Sequence, residues 1–273
     1  MTAEASPHSL PAAPVRKRGS VWALGIEPLV AVVSAIGFLL VWQFVATNFF
    51  TPQFFPGPLV VWRTAMEMFA SGELQLHIAA SMKRILLGFF IGSVIAIPIG
   101  LLLGTSRWAR MALAPHMQFF RFVPAIAWLT PVVIWFGIGE VSKVLIIIYT
   151  TVFIVVINTM VGVSSISQNK TRAAMSLGAS PLQIFLYVTL PAALPMALTG
   201  MRIAMGNSFM TVVSAEMVSS ETGLGYLIFN ARLWMATDQI FIGIFFLGLL
   251  GILTDWIFRS LIRRYVSHYG VIE

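Results

Sequence analysis

The sequence predicts an all-α integral membrane protein with six transmembrane helices. Apolar residues make up 58% of its 273 positions and charged residues only 10%, and the mean hydropathy is +0.90. An average soluble domain is about 25% charged, so this chain has too few polar side chains to cover a soluble surface. A spanning helix needs about 20 apolar residues. Runs of this kind lie at about 28–46, 81–104, 117–137, 143–163, 193–215 and 239–261.

Lysine and arginine predict the orientation of these spans. With the N-terminus inside, eleven of the seventeen cations fall on the cytoplasmic side, five fall on the outer side, and Arg202 lies within a span. Cytoplasmic loops are enriched in these residues, so we expect both termini to be cytoplasmic. We also expect a disordered tail at 1–20, followed by one membrane domain at 21–270. The inner cations are Arg16, Lys17, Arg18, Arg107, Arg110, Arg121, Lys170, Arg172, Arg259, Arg263 and Arg264.

Composition also excludes several classes of function. The net charge is +7, but the cations occur singly or in twos and threes at the edges of apolar runs. Nucleic-acid binding needs them clustered on one face, so we expect none. The absence of cysteine excludes thiol catalysis and disulfides. The four histidines, at 8, 77, 116 and 268, have no ligand spacing, so we expect no metal site.

Two local patterns predict how the first spans are arranged. Pro58 favours the start of a short outer helix from about Leu59 to Phe69, because proline is tolerated at the first helical position. The second span carries a small residue at every fourth position, which lets a neighbouring helix approach closely. This stripe consists of Gly88, Gly92, Ala96, Gly100 and Gly104.

The cytoplasmic segment at 164–192 is too polar to span and too patterned to be a plain linker. Ala173, Ala174, Met175 and Leu177 favour a short helix, which Gly178 would end in a left-handed conformation. Ser180 is a typical N-cap for a second short helix, with Pro181 at its first position. The second helix has Leu182, Phe185, Leu186 and Thr189 at helical spacing, and Leu190, Pro191 and Pro195 mark a turn into the fifth span.

This helix–glycine–helix segment has two interpretations. Leu177, Leu182 and Phe185 could fill a groove of a partner protein. Alternatively, the segment could lie on the lipid headgroups as an amphipathic hairpin.

The segment resembles the EAA loop of ABC-importer permeases. The resemblance rests on Arg172-Ala173-Ala174, on Gly178 and on Leu190-Pro191. Motifs at 121–129, 135–140, 199–204 and 215–217 are similar to the taurine/nitrate/sulfonate branch of these permeases. The leading glutamate of the loop is Arg172 here, so the role of that position does not carry over.

The resemblance implies a type I importer permease in the bacterial inner membrane. It implies that the loop at 164–192 docks into a cytoplasmic ATP-binding subunit, and that two copies of the chain surround one path. An extracytoplasmic binding protein would deliver a small anion such as a sulfonate, taurine, nitrate or another organic acid. The chain has no phosphate-binding loop of the G-x-x-x-x-G-K-[ST] kind, so we expect no cofactor on this chain and ATP hydrolysis by the partner.

Charged and polar residues within the spans are candidates for the path or for structural pairs, because such groups need internal partners in a bilayer. Arg202 and Asp255 lie at similar depth in the fifth and sixth spans. They could form a buried pair, Arg202 could extend alone to the headgroups, or it could contact substrate. Candidate path residues are Thr130, Asn158, Asn207, Ser208, Thr211 and Ser214, of which Thr130 and Asn158 also suit plain helix packing.

Glu140 and Glu216 fall near the outer ends of their spans. Each could belong to an outer gate or to the docking surface for a binding protein, or be simply solvated.

Two other functions compete with the permease. A membrane enzyme would need paired acids or a histidine cluster near the interface, and the ten acids are scattered singly. A self-sufficient secondary carrier or channel would need no cytoplasmic docking segment.

Overall fold

The computed structural model describes residues 23–266, and within this range the chain is helical throughout, with no strand. The tail expected at 1–20 lies outside the described residues. The helices are α1 (Ala23–Phe49), α2 (Pro58–Ser71), α3 (Glu73–Thr105), α4 (Arg107–Arg121), α5 (Ala125–Phe136), α6 (Glu140–Ser164), α7 (Gln168–Ser176), α8 (Pro181–Ile184), α9 (Leu190–Ser219), α10 (Leu224–Leu233) and α11 (Thr237–Val266), and a π-helical segment (Phe185–Thr189) joins α8 to α9.

Helices α3, α6 and α9 form the centre of the bundle. The stripe of small residues on α3 makes the predicted close helix contact, and the structure identifies the partner as α6: a methyl group added at Gly88 would come within 2.6 Å of Ile147 Cβ, and one at Gly104 within 2.4 Å of Val163 Cβ. Contacts advance in the same direction along both helices, so α3 and α6 are parallel. Glycine at these positions therefore sets how closely the two helices approach.

Helices α1, α2, α10 and α11 surround this centre on one side. Helix α2 begins at Pro58, which confirms the short helix predicted there, and Met68 packs into a cluster with Leu224 and Ile242. Helix α1 is more peripheral. Its Trp42 donates a hydrogen bond to the Pro56 carbonyl at 3.1 Å and stacks on Phe241 of α11.

Five of the six predicted spans coincide with unbroken helices, but the third does not. The run expected at 117–137 is divided between α4 and α5, which meet at an angle of 98°. The prediction of a continuous third span is therefore wrong. Pro124 precedes α5, and proline disfavours helical backbone at the residue before it and supplies no N–H. We call this α4–α5 bend the elbow.

The predicted turn at Leu190-Pro191 is also wrong. The chain continues from α8 through the π-helical segment into α9, so Pro181–Ser219 is one helical rod of 39 residues. Pro191 falls at the start of α9. A π-helical turn accommodates the missing N–H here without ending the helix.

Candidate functional site

The elbow is held by helix α6. The hydroxyl of Tyr149 donates to the Phe120 carbonyl at 2.6 Å, with the Val123 carbonyl 3.3 Å away. The Trp128 indole in turn donates to the Tyr149 oxygen at 3.0 Å. The Phe120 carbonyl also accepts from the Val123 N–H at 3.0 Å, so Tyr149 adds a second bond there and ties the break to α6.

A cavity of about 620 Å³ opens beside the elbow, between it, α6 and α9. Four of the six predicted path residues line it: Asn158, Asn207, Thr211 and Ser214. The remaining lining residues are Arg121, Phe122, Val123, Pro124, Ala125, Ile126, Tyr149, Thr150, Phe153, Ile154, Ile157, Ile203 and Met210. The cavity thus combines a mostly apolar wall with a few polar side chains, as ligand sites usually do.

The polar side chains of the cavity are partly satisfied by their own helices. Thr211 Oγ1 lies 3.0 Å from the Asn207 carbonyl, and Asn158 Nδ2 donates to the Ile154 carbonyl at 2.8 Å. The side-chain amide of Asn207 makes no hydrogen bond to any other described residue. Asn207 can therefore offer both a donor and an acceptor to a solute.

Two predicted path residues lie elsewhere. Ser208 is fully buried and its hydroxyl donates to the Ala204 carbonyl at 2.8 Å, with Thr151 Oγ1 3.5 Å away on α6. It packs α9 against α6, so the path assignment of Ser208 is wrong. Thr130 is exposed on α5 and lies outside the cavity lining, so its place in the path stays a prediction.

A second polar feature lies where α6 begins and α9 ends, which is the predicted outer side. Arg84 of α3 is 2% exposed, and each of its five N–H groups has an acceptor. Its Nε and Nη2 donate to the Glu140 carboxylate at 2.8 and 2.6 Å, and Nη1 donates to Glu216 at 2.7 Å. Thr222 accepts the remaining two through its carbonyl and hydroxyl oxygens. We call these residues the Arg84 network.

Glu216 is the innermost member of the Arg84 network. Its side chain is 0% exposed, and besides Arg84 it accepts from the Ser81 hydroxyl at 2.8 Å and the Gly225 N–H at 2.9 Å. The expectation that Glu216 lies at a docking surface or is solvated is wrong, because the carboxylate is enclosed. Gly223 closes the site: its φ is +121°, and a Cβ there would lie 2.3 Å from the carboxylate carbon.

Glu140 differs from Glu216 in exposure. About half of its side chain, 54%, is exposed, and it also accepts from Lys143 Nζ at 3.0 Å. Glu140 therefore sits at the rim of the Arg84 network with one edge open to the outside of the bundle. Its candidacy for an outer gate or docking surface stays a prediction.

The sequence interpretation missed Arg84, although a signal was present. Arg84 lies four residues before Gly88, so it continues the stripe that faces α6. A cation on the packing face of a span needs a carboxylate from a neighbouring helix. His77 and Ser81 lie on the same side of α3 and accept from the Gly223 and Leu224 N–H groups.

Arg202 and Asp255 do form an ion pair. Arg202 Nε donates to Asp255 Oδ1 at 2.6 Å, and Arg259 contacts the other carboxylate oxygen. This excludes the interpretation in which Arg202 extends alone. The side chains are 42% and 31% exposed, so the pair is not buried within one chain, which corrects that part of the prediction.

The cytoplasmic segment contains the two predicted short helices, α7 and α8. Gly178 is left-handed, with φ +78°, and ends α7 as expected. Ser180 caps α8: its hydroxyl accepts from the Gln183 N–H at 3.3 Å, and the Gln183 side chain accepts from the Ser180 N–H at 2.8 Å. This reciprocal pair is a capping box, and it orders the start of α8.

The side chains of this segment are only partly as predicted. Leu177 is 89% exposed and Leu182 66% exposed, so both are free to contact a partner. Phe185 is half-buried and packs toward Val163 and Ala193 at the base of the bundle. Phe185 thus offers a partner less surface than Leu177 or Leu182, and its role in filling a partner's groove stays a prediction. Arg172 is exposed, and its guanidinium contacts only Gln168 within the described residues.

Comparisons with known proteins identify the family. Residues 96–267 match the family described as the binding-protein-dependent transport system inner membrane component. The taurine transport system permease protein TauC of Escherichia coli is 37% identical over 259 residues, covering 92% of this chain and 94% of TauC. The chain belongs to this family of inner membrane transport components.

Further relatives come from the same group of permeases. The putative aliphatic sulfonates transport permease protein SsuC of Escherichia coli is 36% identical, covering 89% of this chain and 90% of its own. The nitrate import permease protein NrtB of Leptolyngbya laminosa is 34% identical, covering 70% and 68%. The resemblance to ABC-importer permeases of the taurine/nitrate/sulfonate branch is thus confirmed.

Solved structures confirm the fold. A bacterial ABC transporter that imports the acidic polysaccharide alginate matches with a TM-score of 0.64 at 14% identity, covering 90% of this chain and 96% of that one. The inward-facing methionine transporter MetNI matches with a TM-score of 0.55 at 20% identity, covering 66% and 92%. This inner membrane component therefore has the all-α fold of an ABC-importer permease.

The exposed Arg202–Asp255 pair gives a testable expectation for this permease. We expect Asp255→Asn to lower the free energy of unfolding by about 1 kcal/mol or less, because the pair is partly exposed and Arg202 and Arg259 lose one shared carboxylate. Changing Arg202→Gln as well should restore part of the loss. Thermal unfolding of the two single variants and the double variant measures this. Additive losses would contradict the pairing.

Proposed function

We propose that this permease forms, as a homodimer, the membrane path of an ATP-driven importer for a small oxygen-bearing anion. The observation that carries the proposal is the elbow cavity. Asn158, Asn207, Thr211 and Ser214 bring amide and hydroxyl groups to one wall within the membrane bundle. Polar groups at this depth are costly unless they serve packing or function, and Asn207 has no packing partner for its amide among the described residues.

The donors in the cavity and the names of the related permeases both support a small oxygen-bearing anion as the substrate. Hydroxyl and amide donors suit the oxygens of a sulfonate or nitrate, and they hold such a solute weakly enough for it to leave again. The names of the related permeases refer to taurine, aliphatic sulfonates and nitrate. A volume of about 620 Å³ is within the range of small-molecule sites, about 300–1,000 Å³.

Energy would come from a separate cytoplasmic ATP-binding subunit docked on α7 and α8. Leu177 and Leu182 are exposed on either side of the capped turn at Gly178. An ordered projection of this kind suits a partner groove better than a headgroup surface, because the Gly178 and Ala179 N–H groups bond back to the Met175 and Ala174 carbonyls of α7 while the capping box orders the start of α8. A self-sufficient carrier, which is the alternative function, would need no such docking projection.

The remaining partners follow from the same scheme. An extracytoplasmic binding protein would deliver the anion to the outer side of the bundle, where Glu140 is half-exposed. Both termini would then be cytoplasmic, in the bacterial inner membrane.

Whole-cell uptake tests the substrate class. We expect a strain lacking this chain to lose uptake of radiolabelled taurine, ethanesulfonate or nitrate, and the intact chain to restore it. A matched control is the chain with Lys83→Gln, since Lys83 is exposed and outside the cavity. Unchanged uptake of all three anions in the deletion strain would contradict the proposal.

The homodimer gives a separate prediction. Each chain has one α7–α8 projection, and two ATP-binding subunits around one path need two docking points. Native mass spectrometry of the detergent-solubilised complex should therefore show two copies of this chain with two ATP-binding subunits. A stable assembly with one copy and full ATPase activity would contradict it.

A further inference from the structure

We propose that Arg121, together with the first turn of α5, forms the anion-binding element of the elbow cavity, and that it selects a sulfonate-like or nitrate-like anion during transport. The inference rests on the proposed function and deepens it by naming the site. From the sequence alone, Arg121 is one of eleven predicted cytoplasmic cations. In the structure it is the one charged residue that lines the cavity, among the described residues.

Arg121 combines a guanidinium without an ion pair with a place in the cavity lining. Arg107 and Arg172 also have no ion pair among the described residues, but neither lines this cavity. Arg84 is held by two carboxylates, Arg202 by Asp255, and Arg110 by the carbonyls of residues 103 and 104. Arg121 makes no ion pair or side-chain hydrogen bond within residues 23–266. Arg121 is exposed, so its five guanidinium N–H groups are open to water or to a ligand, in the fork geometry that suits two oxygens of an oxyanion.

The elbow determines where this guanidinium lies. Arg121 is the last residue of α4 and therefore sits at the break, and its Cζ lies 4.6 Å from the centre of the Phe122 ring. That distance allows a cation–π contact. Tyr149 fixes the carbonyls on both sides of the break, at Phe120 and Val123. The charge is thus placed at the cavity wall by backbone that α6 holds.

The second part of the element is the start of α5. Ala125 and Ile126 line the same cavity as Arg121, and they occupy the first turn of a twelve-residue helix. The N–H groups of a first turn have no acceptor within their helix, and they carry the positive end of the helix dipole. These N–H groups add to the positive potential of Arg121. No aspartate or glutamate lines the cavity to offset that potential.

A plain topological role is the competing explanation. Arg121 could serve only to keep the α4 end of the bundle on the cytoplasmic side. Arg107, at the other end of the same helix, separates the two explanations because it is exposed and outside the cavity lining. Removing either arginine removes one charge from α4, but only Arg121 would affect an anion in the cavity.

The local potential can be measured directly because the chain contains no cysteine. Ile126→Cys places a single thiol at the first turn of α5 in the assembled complex. The reaction rates of a sulfonatoethyl and an aminoethyl methanethiosulfonate are measured by the intact mass of this chain. We expect Arg121→Gln to lower the ratio of anionic to cationic reagent rates by about tenfold, and Arg107→Gln to leave it unchanged. An unchanged ratio with Arg121→Gln would overturn the inference.

Uptake supplies the second readout, in the chain without the added thiol. Arg121→Gln should reduce uptake of the transported anion by about tenfold to hundredfold, in proportion to the loss of charge-assisted hydrogen bonds, while the loaded binding protein still stimulates ATP hydrolysis. Arg121→Lys should retain part of the uptake, since it keeps the charge but loses the fork. Equal uptake by Arg121→Gln and Arg107→Gln would overturn the inference.

The two readouts also separate this inference from the proposed function. If the intact complex takes up none of taurine, ethanesulfonate and nitrate, the proposed substrate class fails, whatever the thiol reports. If it takes up one of them and the Arg121 variants behave like the Arg107 control, the proposed function stands and the role of Arg121 fails.

Discussion

Arg84→Gln is expected to be the most destabilising single change in this permease, at about 3–5 kcal/mol of unfolding free energy. The change removes all the positive charge that faces Glu216, whose side chain is 0% exposed. Breaking a buried ion pair from one side leaves an uncompensated buried charge, which accounts for the size of the effect. Thermal and denaturant unfolding of the detergent-solubilised chain measures it.

Two further variants make this prediction specific. Arg84→Gln combined with Glu216→Gln should be milder than Arg84→Gln alone, because no buried charge remains and Ser81 and Gly225 can still bond an amide at position 216. Lys83→Gln, one residue away and exposed, should stay within about 0.5 kcal/mol of the parent. A double variant less stable than Arg84→Gln, or equal losses at 83 and 84, would contradict the Arg84 network.

The second large effect is expected at Gly178, where Gly178→Leu should uncouple transport from ATP hydrolysis while the protein stays in the membrane. The backbone there has φ +78°, and a residue with a Cβ pays roughly 1–2 kcal/mol in this conformation. No atom lies within 4 Å of a Cβ at this position, so the strain is in the backbone itself. Relief of that strain would change the angle between α7 and α8.

Uptake and ATPase stimulation by loaded binding protein, measured on the same reconstituted complex, test the uncoupling. Gly178→Asn is the matched control, because asparagine tolerates left-handed backbone far better than leucine does, and it should keep most of the coupling. Normal uptake with normal stimulation in Gly178→Leu would show that the turn does not transmit the ATPase cycle.

Much of the fold could be predicted because hydropathy, positive charge and local capping act over short distances. Five spans follow from apolar length alone, and Gly178, Ser180 and Pro181 predict the two short cytoplasmic helices from local backbone preferences. The stripe beginning at Gly88 predicts a close helix contact without naming the partner. The partner, α6, follows only from the three-dimensional structure.

The elbow could not be located in the same way. Pro115, Pro124 and Pro131 all fall in or beside the third apolar run, and a proline within a membrane helix is often tolerated. Only Pro124 marks a sharp bend. The bend is tied to α6 by the hydrogen bond of Tyr149, which lies more than twenty residues later in the chain, and a single sequence contains no sign of that contact.

For charged residues, the sequence likewise predicts the depth in the membrane but not the neighbouring side chains. Similar depth in their spans favours pairing of Arg202 with Asp255 as one of three interpretations, and the structure contains the pair. The same estimate of depth predicts Glu216 near the outer surface, whereas Arg84, Ser81 and Gly225 enclose it. Depth along the membrane normal can be read from span edges, whereas the direction a side chain faces depends on which helices surround it.

The most direct test of the account is ATP-driven uptake in proteoliposomes that contain this chain and its ATP-binding subunit. ATP is enclosed in the lumen, and the binding protein with radiolabelled taurine, ethanesulfonate or nitrate is added outside. We expect uptake of at least one of these anions. This uptake should require both ATP and the binding protein, and it should stop when the phosphate-loop lysine of the ATPase is replaced. Uptake that continues without ATP and without the binding protein would contradict it and establish a self-sufficient carrier or channel.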